Sequence, residues 1–240
     1  GFHLTFEDDT EVEAFNTVLW RGDGVNGREI TGFGFQPDLV WAKSRSAAED
    51  HILVDAVRGA TLDLRPNNTN AESTYSGRIQ SITSDGFTVG TGGIVNASGS
   101  TYVAWGWKAG DSNVSNTDGS ITSTVRANDT YGFSIVTYSG TGSASTIGHG
   151  LGTAPSLIIV KRRNSGADWL AYHASTGETK FFYFNGTAAV VTGTGAWNDT
   201  APTSSVFSVG NYGEVNNASG TYVAYCWAEK TGYSKFGSYS

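Results

Sequence analysis

The sequence predicts an all-β fold of two tandem, homologous antiparallel β-sandwich units, and three observations carry that expectation. The first is composition: of 240 residues, 15% are charged, 12% are aromatic and 32 are Gly. A typical domain is about 25% charged, so polarity here rests on Ser, Thr and Asn, a mix that suits strands joined by tight turns. The second is a succession of short apolar runs punctuated by turn residues. The third is an internal repeat. Residues 15–45 laid over 133–163, at a constant offset of 118, need no gap and share Phe15/Phe133, Val18/Val136, Gly22/Gly140, Gly24/Gly142, Gly32/Gly150, Gly34/Gly152, Pro37/Pro155, Leu39/Leu157, Lys43/Lys161 and Arg45/Arg163. The offset holds through Asp50/Asp168, Gly59/Gly177 and Asn67/Asn185. It then becomes 120 and aligns residues 87–90 with 207–210, 101–104 with 221–224, and Trp107 with Trp227. Solenoid units run to about 20–50 residues; units of about 100 residues can each bury a core.

Taken in order, residues 1–14 read as a linker or the end of a preceding region, with an acidic cluster of Glu7, Asp8, Asp9 and Glu11. The first unit spans 15–110. Residues 17–20 form a short β run that ends in the turn signal Arg21, Gly22, Asp23, Gly24. Residues 38–43 follow Pro37 and are apolar enough for a central strand, and residues 51–54 follow a polar turn and suit its hairpin partner. Residues 78–82 and 87–89 flank Ser84, Asp85 and Gly86, which fit a tight turn. Residues 102–107 close the unit by alternating large and small side chains. The stretch 111–131 is rich in Asp, Ser, Asn and Thr, has no counterpart within the repeat, and reads as an inter-repeat linker that wraps or joins the halves. The second unit spans 132–232. Residues 233–240 read as the start of a further repeat, because Ser238, Tyr239 and Ser240 echo Thr137, Tyr138 and Ser139. The chain has no Met, so Gly1 reads as a cut or processed end of something longer.

The net charge of -7 and the lack of a basic stripe argue against a nucleic-acid partner; the densest basic cluster is Lys161, Arg162 and Arg163. No run approaches the roughly 20 apolar residues of a membrane helix, so no membrane insertion is expected. Cys226 is the sole cysteine and has no disulfide partner within the chain. His3, His51, His149 and His173 align with no other His in the repeat, and no His/Cys spacing suits zinc nor any acid pattern calcium. The expectation is no enzyme, no catalytic residue, no metal and no cofactor. Lys43/Lys161, Arg45/Arg163 and Asp50/Asp168 flank the same hairpin in each half and read as cross-strand ion pairs. Asn67, Asn96, Asn113, Asn128, Asn185, Asn198 and Asn217 begin Asn-x-Ser/Thr triplets, which a chain of this composition generates by chance. Aromatic faces with polar edges suit sugar recognition. Trp41, Trp105, Trp107 and Trp227 lie in strand patterns and are assigned to the core, whereas Trp197 sits in the loop-like stretch 194–200. The glycan-contact candidates are therefore Trp197, Asn198 and Asp199, with Tyr75 in the corresponding region of the first unit.

Six segments carry a resemblance: 34–45 (GFQPDLVWAKSR), 102–110 (YVAWGWKAG), 116–121 (NTDGSI), 149–155 (HGLGTAP), 200–207 (TAPTSSVF) and 232–239 (GYSKFGSY). They resemble a repeat domain of uncharacterised function in virion, tail-fibre-like proteins of marine tailed phages, often adjacent to laminin-G/concanavalin-like domains. The likeness runs from about Phe15 to Ser240. It implies a structural or host-recognition component located in the virion, a fibre or adhesin segment whose partners are other virion proteins and a host-surface glycan. By analogy with viral fibres it implies a homotrimer. It transfers no site residue. The alternatives are a purely structural capsid or tail decoration protein without host binding and, less favoured, a carbohydrate-active enzyme, which would need paired carboxylates.

Overall fold

The computed structural model describes residues 14–238, and the fold is all-β with antiparallel sheets. The elements run β1 (Phe15–Arg21), β2 (Arg28–Thr31), β3 (Leu39–Ser44), β4 (Ile52–Asp55), β5 (Gly59–Leu64), β6 (Ser73–Thr74), β7 (Ile79–Thr83) and β8 (Gly86–Val89). A one-turn helix α1 (Gly93–Asn96) and β9 (Thr101–Trp107) follow. The chain continues through β10 (Val114–Asn116), β11 (Ser123–Asn128), β12 (Phe133–Ser139), β13 (Ser145–Gly148), β14 (Leu157–Arg162), β15 (Trp169–His173), β16 (Lys180–Tyr183) and β17 (Val191–Thr192). It closes with α2 (Thr194–Trp197), β18 (Val206–Val209), α3 (Gly213–Asn216) and β19 (Thr221–Trp227).

Two large sheets dominate. One has the order β1-β9-β3-β4-β5-β6, the other β10-β11-β12-β19-β14-β15-β16-β17; the smaller sheets are β2-β8-β7 and β13-β18. The central pairings share a register, with Phe15 opposite Trp107 and Arg21 opposite Thr101 in one sheet, Phe133 opposite Trp227 and Ser139 opposite Thr221 in the other. In β9, β12, β14 and β19 side chains alternate between two largely buried faces, which is why these strands read as near-continuous apolar runs, whereas β1 is exposed on one face. Val40, Ala42, Ile52, Val54, Tyr102 and Ala104 pack with Ile30, Ile79, Phe87 and Val89 of the three-stranded sheet. Val136, Tyr138, Ile158, Val160, Leu170 and Ala224 pack with Ile147, Phe207 and Val209 of the two-stranded sheet. The intervening residues Leu39, Leu53, Ile135, Ile159, Trp169, Val223 and Tyr225 form a third core, where the large sheets meet back to back.

One hydrogen-bond set occurs twice. The fully buried Asn96 accepts from the Asp23 N–H at 3.1 Å and donates to the Val25 and Gly90 carbonyls at 3.0 and 2.9 Å. Asn216 accepts from the Thr141 N–H at 2.8 Å and donates to the Ser143 and Gly210 carbonyls at 2.6 and 2.7 Å. The Tyr102 and Tyr222 hydroxyls donate to the carbonyls of Gly93 and Gly213 at 2.6 and 2.7 Å. At Gly22 and Gly140 a Cβ would strike the carbonyls of Ala97 and Asn217, so both turns require Gly.

Two segments depart from expectation. Residues 111–131, expected as a linker, supply β10 and β11, which extend the second large sheet and bury Ile121 and Val125 in its core. Their alternation is hidden among Ser, Thr and Asn. In the second half α2 and the turn after it stand where β7 stands in the first, and β13 forms a two-stranded sheet with β18, bridged in parallel by Ile121 at Ile147. The expected N-terminal linker lies outside the described residues, Ala14 apart.

Candidate binding groove

At one end of the back-to-back interface a groove opens among aromatic side chains. Trp107 of β9 meets Trp227 of β19 edge to face, ring centroids 6.1 Å apart. Phe15 tilts onto Trp107 at 4.9 Å and Phe133 onto Trp227 at 5.0 Å. With Tyr131, Tyr233 and Phe236 they line a groove of about 450 Å³ that is almost wholly apolar. Trp41, Trp107 and Trp227 are thus half-buried walls of an open groove rather than enclosed core residues.

Trp41 and Phe184 also wall a second, smaller pocket of about 300 Å³, completed by His51, Pro66, Asn67, Asn185, Gly186 and Thr187. Both halves contribute to it. The rings of Trp41 and Phe184 meet at 5.8 Å and 63°, making a corner. The Trp41 indole Nε1 donates to His51 Nδ1 at 2.9 Å, which leaves the neutral ring's proton on Nε2. Burial and the neighbouring Lys43 charge hold this imidazole below its ordinary pKa, partly opposed by Asp50. The two amides are pinned alike. Asn67 Oδ1 accepts from the His51 N–H at 2.9 Å and its Nδ2 donates to Asp50 at 2.7 Å. Asn185 Oδ1 accepts from the Trp169 N–H at 2.8 Å and its Nδ2 donates to Asp168 at 2.9 Å. Each amide keeps a second N–H and a second lone pair for a ligand.

Buried charges tie the halves together. Asp55 accepts from Arg58 at 2.6 Å and from the Tyr225 hydroxyl at 2.7 Å. Glu72 accepts from Arg58 at 2.8 Å and, through both oxygens, from Arg163 at 2.8 and 2.9 Å. Burial alone would raise the Glu72 pKa, but the bonds and charges of Arg163 and Arg58 outweigh it and hold it low. Arg126 of β11 pairs with the buried Asp38 at 2.9 Å.

The cross-strand ion pairs expected among the repeated Lys, Arg and Asp do not form. Lys43 donates to the carbonyls of Ser44 and Ala47, and Lys161 to those of Thr69 and Ala167. Asp50 pairs instead with Arg65 at 2.9 Å. The repeated Asp serves the repeated Asn, a partnership 17 residues apart that strand-pairing logic does not suggest.

Trp197 is 2% exposed, and its ring stands edge to face with Tyr172 at 6.0 Å. This corrects its placement in a surface loop: a buried indole offers no face to a sugar. The reason is positional, since the offset of 118 aligns Trp197 with Ile79, another core residue. Asn198 and Asp199 follow it with φ of 52° and 45° in an exposed left-handed turn. Tyr75 is 49% exposed, but the Arg78 guanidinium lies 4.4 Å above its ring. Tyr75 and Trp197 belong to different halves, and neither lines the groove or the pocket. The residues that do line the pocket were hidden in the sequence because Trp41 reads as core and His51 as unmatched. The kept Asn67/Asn185 pair was the available signal.

Among the described residues no cluster of three or more His, Cys, Asp or Glu is placed to hold a metal, and no helix is long and apolar enough to cross a membrane. No curated protein and no solved structure matches the chain. Residues 10–240, by contrast, match a family described as a domain of unknown function, DUF7483, and the chain belongs to that family.

Proposed function

We propose that the chain is a non-enzymatic structural and host-recognition component of a tailed-phage particle, a fibre or adhesin segment that binds a neutral surface glycan. The observation that carries the binding part is the aromatic groove that shares the Trp41 and Phe184 walls with a pocket of amide, imidazole and hydroxyl groups, with no carboxylate in either lining. Open aromatic faces beside neutral hydrogen-bonding groups suit a sugar, whereas glycoside hydrolysis needs two carboxylates across the bond. The virion setting rests on the sequence resemblance. The two halves are read as tandem homologous sandwich units; the repeated register, the paired Asn96 and Asn216 sets and the Asp–Asn partnerships support this.

The test is binding of the chain to an array of bacterial surface polysaccharides, together with a search for it in purified particles. Saturable binding to a neutral polysaccharide without release of reducing ends is expected. Absence of binding across the array would sink the recognition reading. The second reading, a decoration protein without host contact, is favoured by the apolar character of the larger groove, which suits packing against another virion protein. A high copy number in the particle would support it over a fibre.

A further inference from the structure

We propose that the pocket walled by Trp41, His51 and Phe184 is a binding site for one neutral pyranose ring, and that neither half of the chain completes it alone. The proposal rests on the glycan-binding reading and adds the site, the ligand class and its orientation. Trp41, His51, Pro66 and Asn67 come from the first half; Phe184, Asn185, Gly186 and Thr187 come from the second.

Three features select the ligand. The corner made by Trp41 and Phe184 gives an apolar platform for the C–H face of a sugar ring. That platform is fixed in advance: the Trp41 indole is tied to His51 Nδ1 and packs edge to face on Trp105 at 6.2 Å. Preorganisation of this kind lowers the ordering cost of binding. The rim then offers neutral groups: the His51 Nε2–H, the spare N–H and lone pair of each Asn amide, and the Thr187 hydroxyl.

The same rim argues against other ligands. A wholly apolar molecule would desolvate both amides without replacing their hydrogen bonds. A charged ligand would find no counter-ion in the lining, since no lining residue is a Lys, Arg, Asp or Glu; the neighbouring Lys43 ammonium is held by the Ser44 and Ala47 carbonyls, and Asp50 and Asp168 hold the two amides. A volume of about 300 Å³ lies at the small end of the range for ligand pockets, which limits the buried part to about one ring.

Saturation-transfer NMR on the full chain tests the site, with methyl pyranosides of neutral hexoses as probes. N-acetylneuraminic acid serves as the charged control and adenosine as the planar one. At least one neutral pyranoside should bind, with its ring C–H protons saturating most strongly. Thr187→Val, at an exposed position, should weaken binding about threefold with an unchanged melting temperature, and His51→Ala about tenfold, the scale of one or two neutral hydrogen bonds. Preference for either control, or wild-type affinity in both variants, would overturn the assignment. The same variants on the polysaccharide array separate the two levels. Wild-type binding retained by both variants removes this site and leaves the glycan reading standing; no binding by the wild-type chain removes both.

Discussion

At the residue scale, two buried neutral side chains, Asn96 and Asn216, hold the loops of each half in place. Asn96 and Asn216 each satisfy three backbone groups that no strand ladder reaches. Asn216→Ala would strand the buried Gly210 carbonyl, whereas the exposed Thr141 N–H can turn to water and the Ser143 carbonyl keeps the Thr141 and Ser145 hydroxyls; a buried unpaired group costs about 1–3 kcal/mol. We expect a loss of about 2 kcal/mol in urea unfolding, and a loss below about 1 kcal/mol would show that water or relaxation replaces the side chain. Asn216→Asp should be no milder, because a carboxylate cannot donate to two carbonyls. The imidazoles give a pH prediction. Burial is the main cause that holds both His51 and the fully buried His149 below the ordinary value of 6.5. The unfolded chain then binds more protons than the folded one. Their contribution to stability is fully present above pH 6.5 and is lost as pH falls through the lower folded values. Urea midpoints measured at falling pH should decline over that range, and His51→Gln should flatten part of the slope.

At the element scale, strands covered on both faces contrast with short edge strands. β12 lies between β11 and β19, and its Ile135 and Val136 face different cores. β6 and β17 are two residues long and end their sheets. Amide exchange should therefore be slowest in β12, β14 and β19 and fast in β6 and β17. β11 is the informative case. If residues 111–131 act only as a tether, β11 amides should exchange like an edge; if β11 is integral, they should be protected nearly as well as β12. The burial of Val125 and the Arg126–Asp38 pair favour protection. Strand existence was legible in the sequence wherever apolar residues were dense, as in 39–43 and 102–107. It was not legible in 123–128, where Val125 is the one large apolar residue among Ser, Thr, Arg, Ala and Asn. Nor was the replacement of β7 by α2 legible, since a single helical turn has no period to detect.

At the scale of the whole molecule, the shared core and the Asp55–Arg58–Glu72–Arg163 network make the halves one body rather than beads on a stalk. Thermal unfolding should show one cooperative transition by both Trp fluorescence and circular dichroism. Glu72→Ala removes the carboxylate shared by Arg58 and Arg163 and should cost about 3 kcal/mol, the scale for breaking a buried ion pair. Two separated transitions in the wild-type chain would contradict a single body. The sequence by itself determined the all-β class, the strands dense in apolar residues and the repeated Gly turns, because these depend on local patterns and on a repeat that can be read along the chain. Tertiary structure alone decided which face of each strand meets which core, that Trp197 is enclosed while Trp41 is open, and that Asn67 and Asn185 share one pocket. The physical reason is the back-to-back packing of the two large sheets. Alternation along a strand tells that both faces are apolar, but only the stacking of sheets tells which face is sealed and where its rim opens.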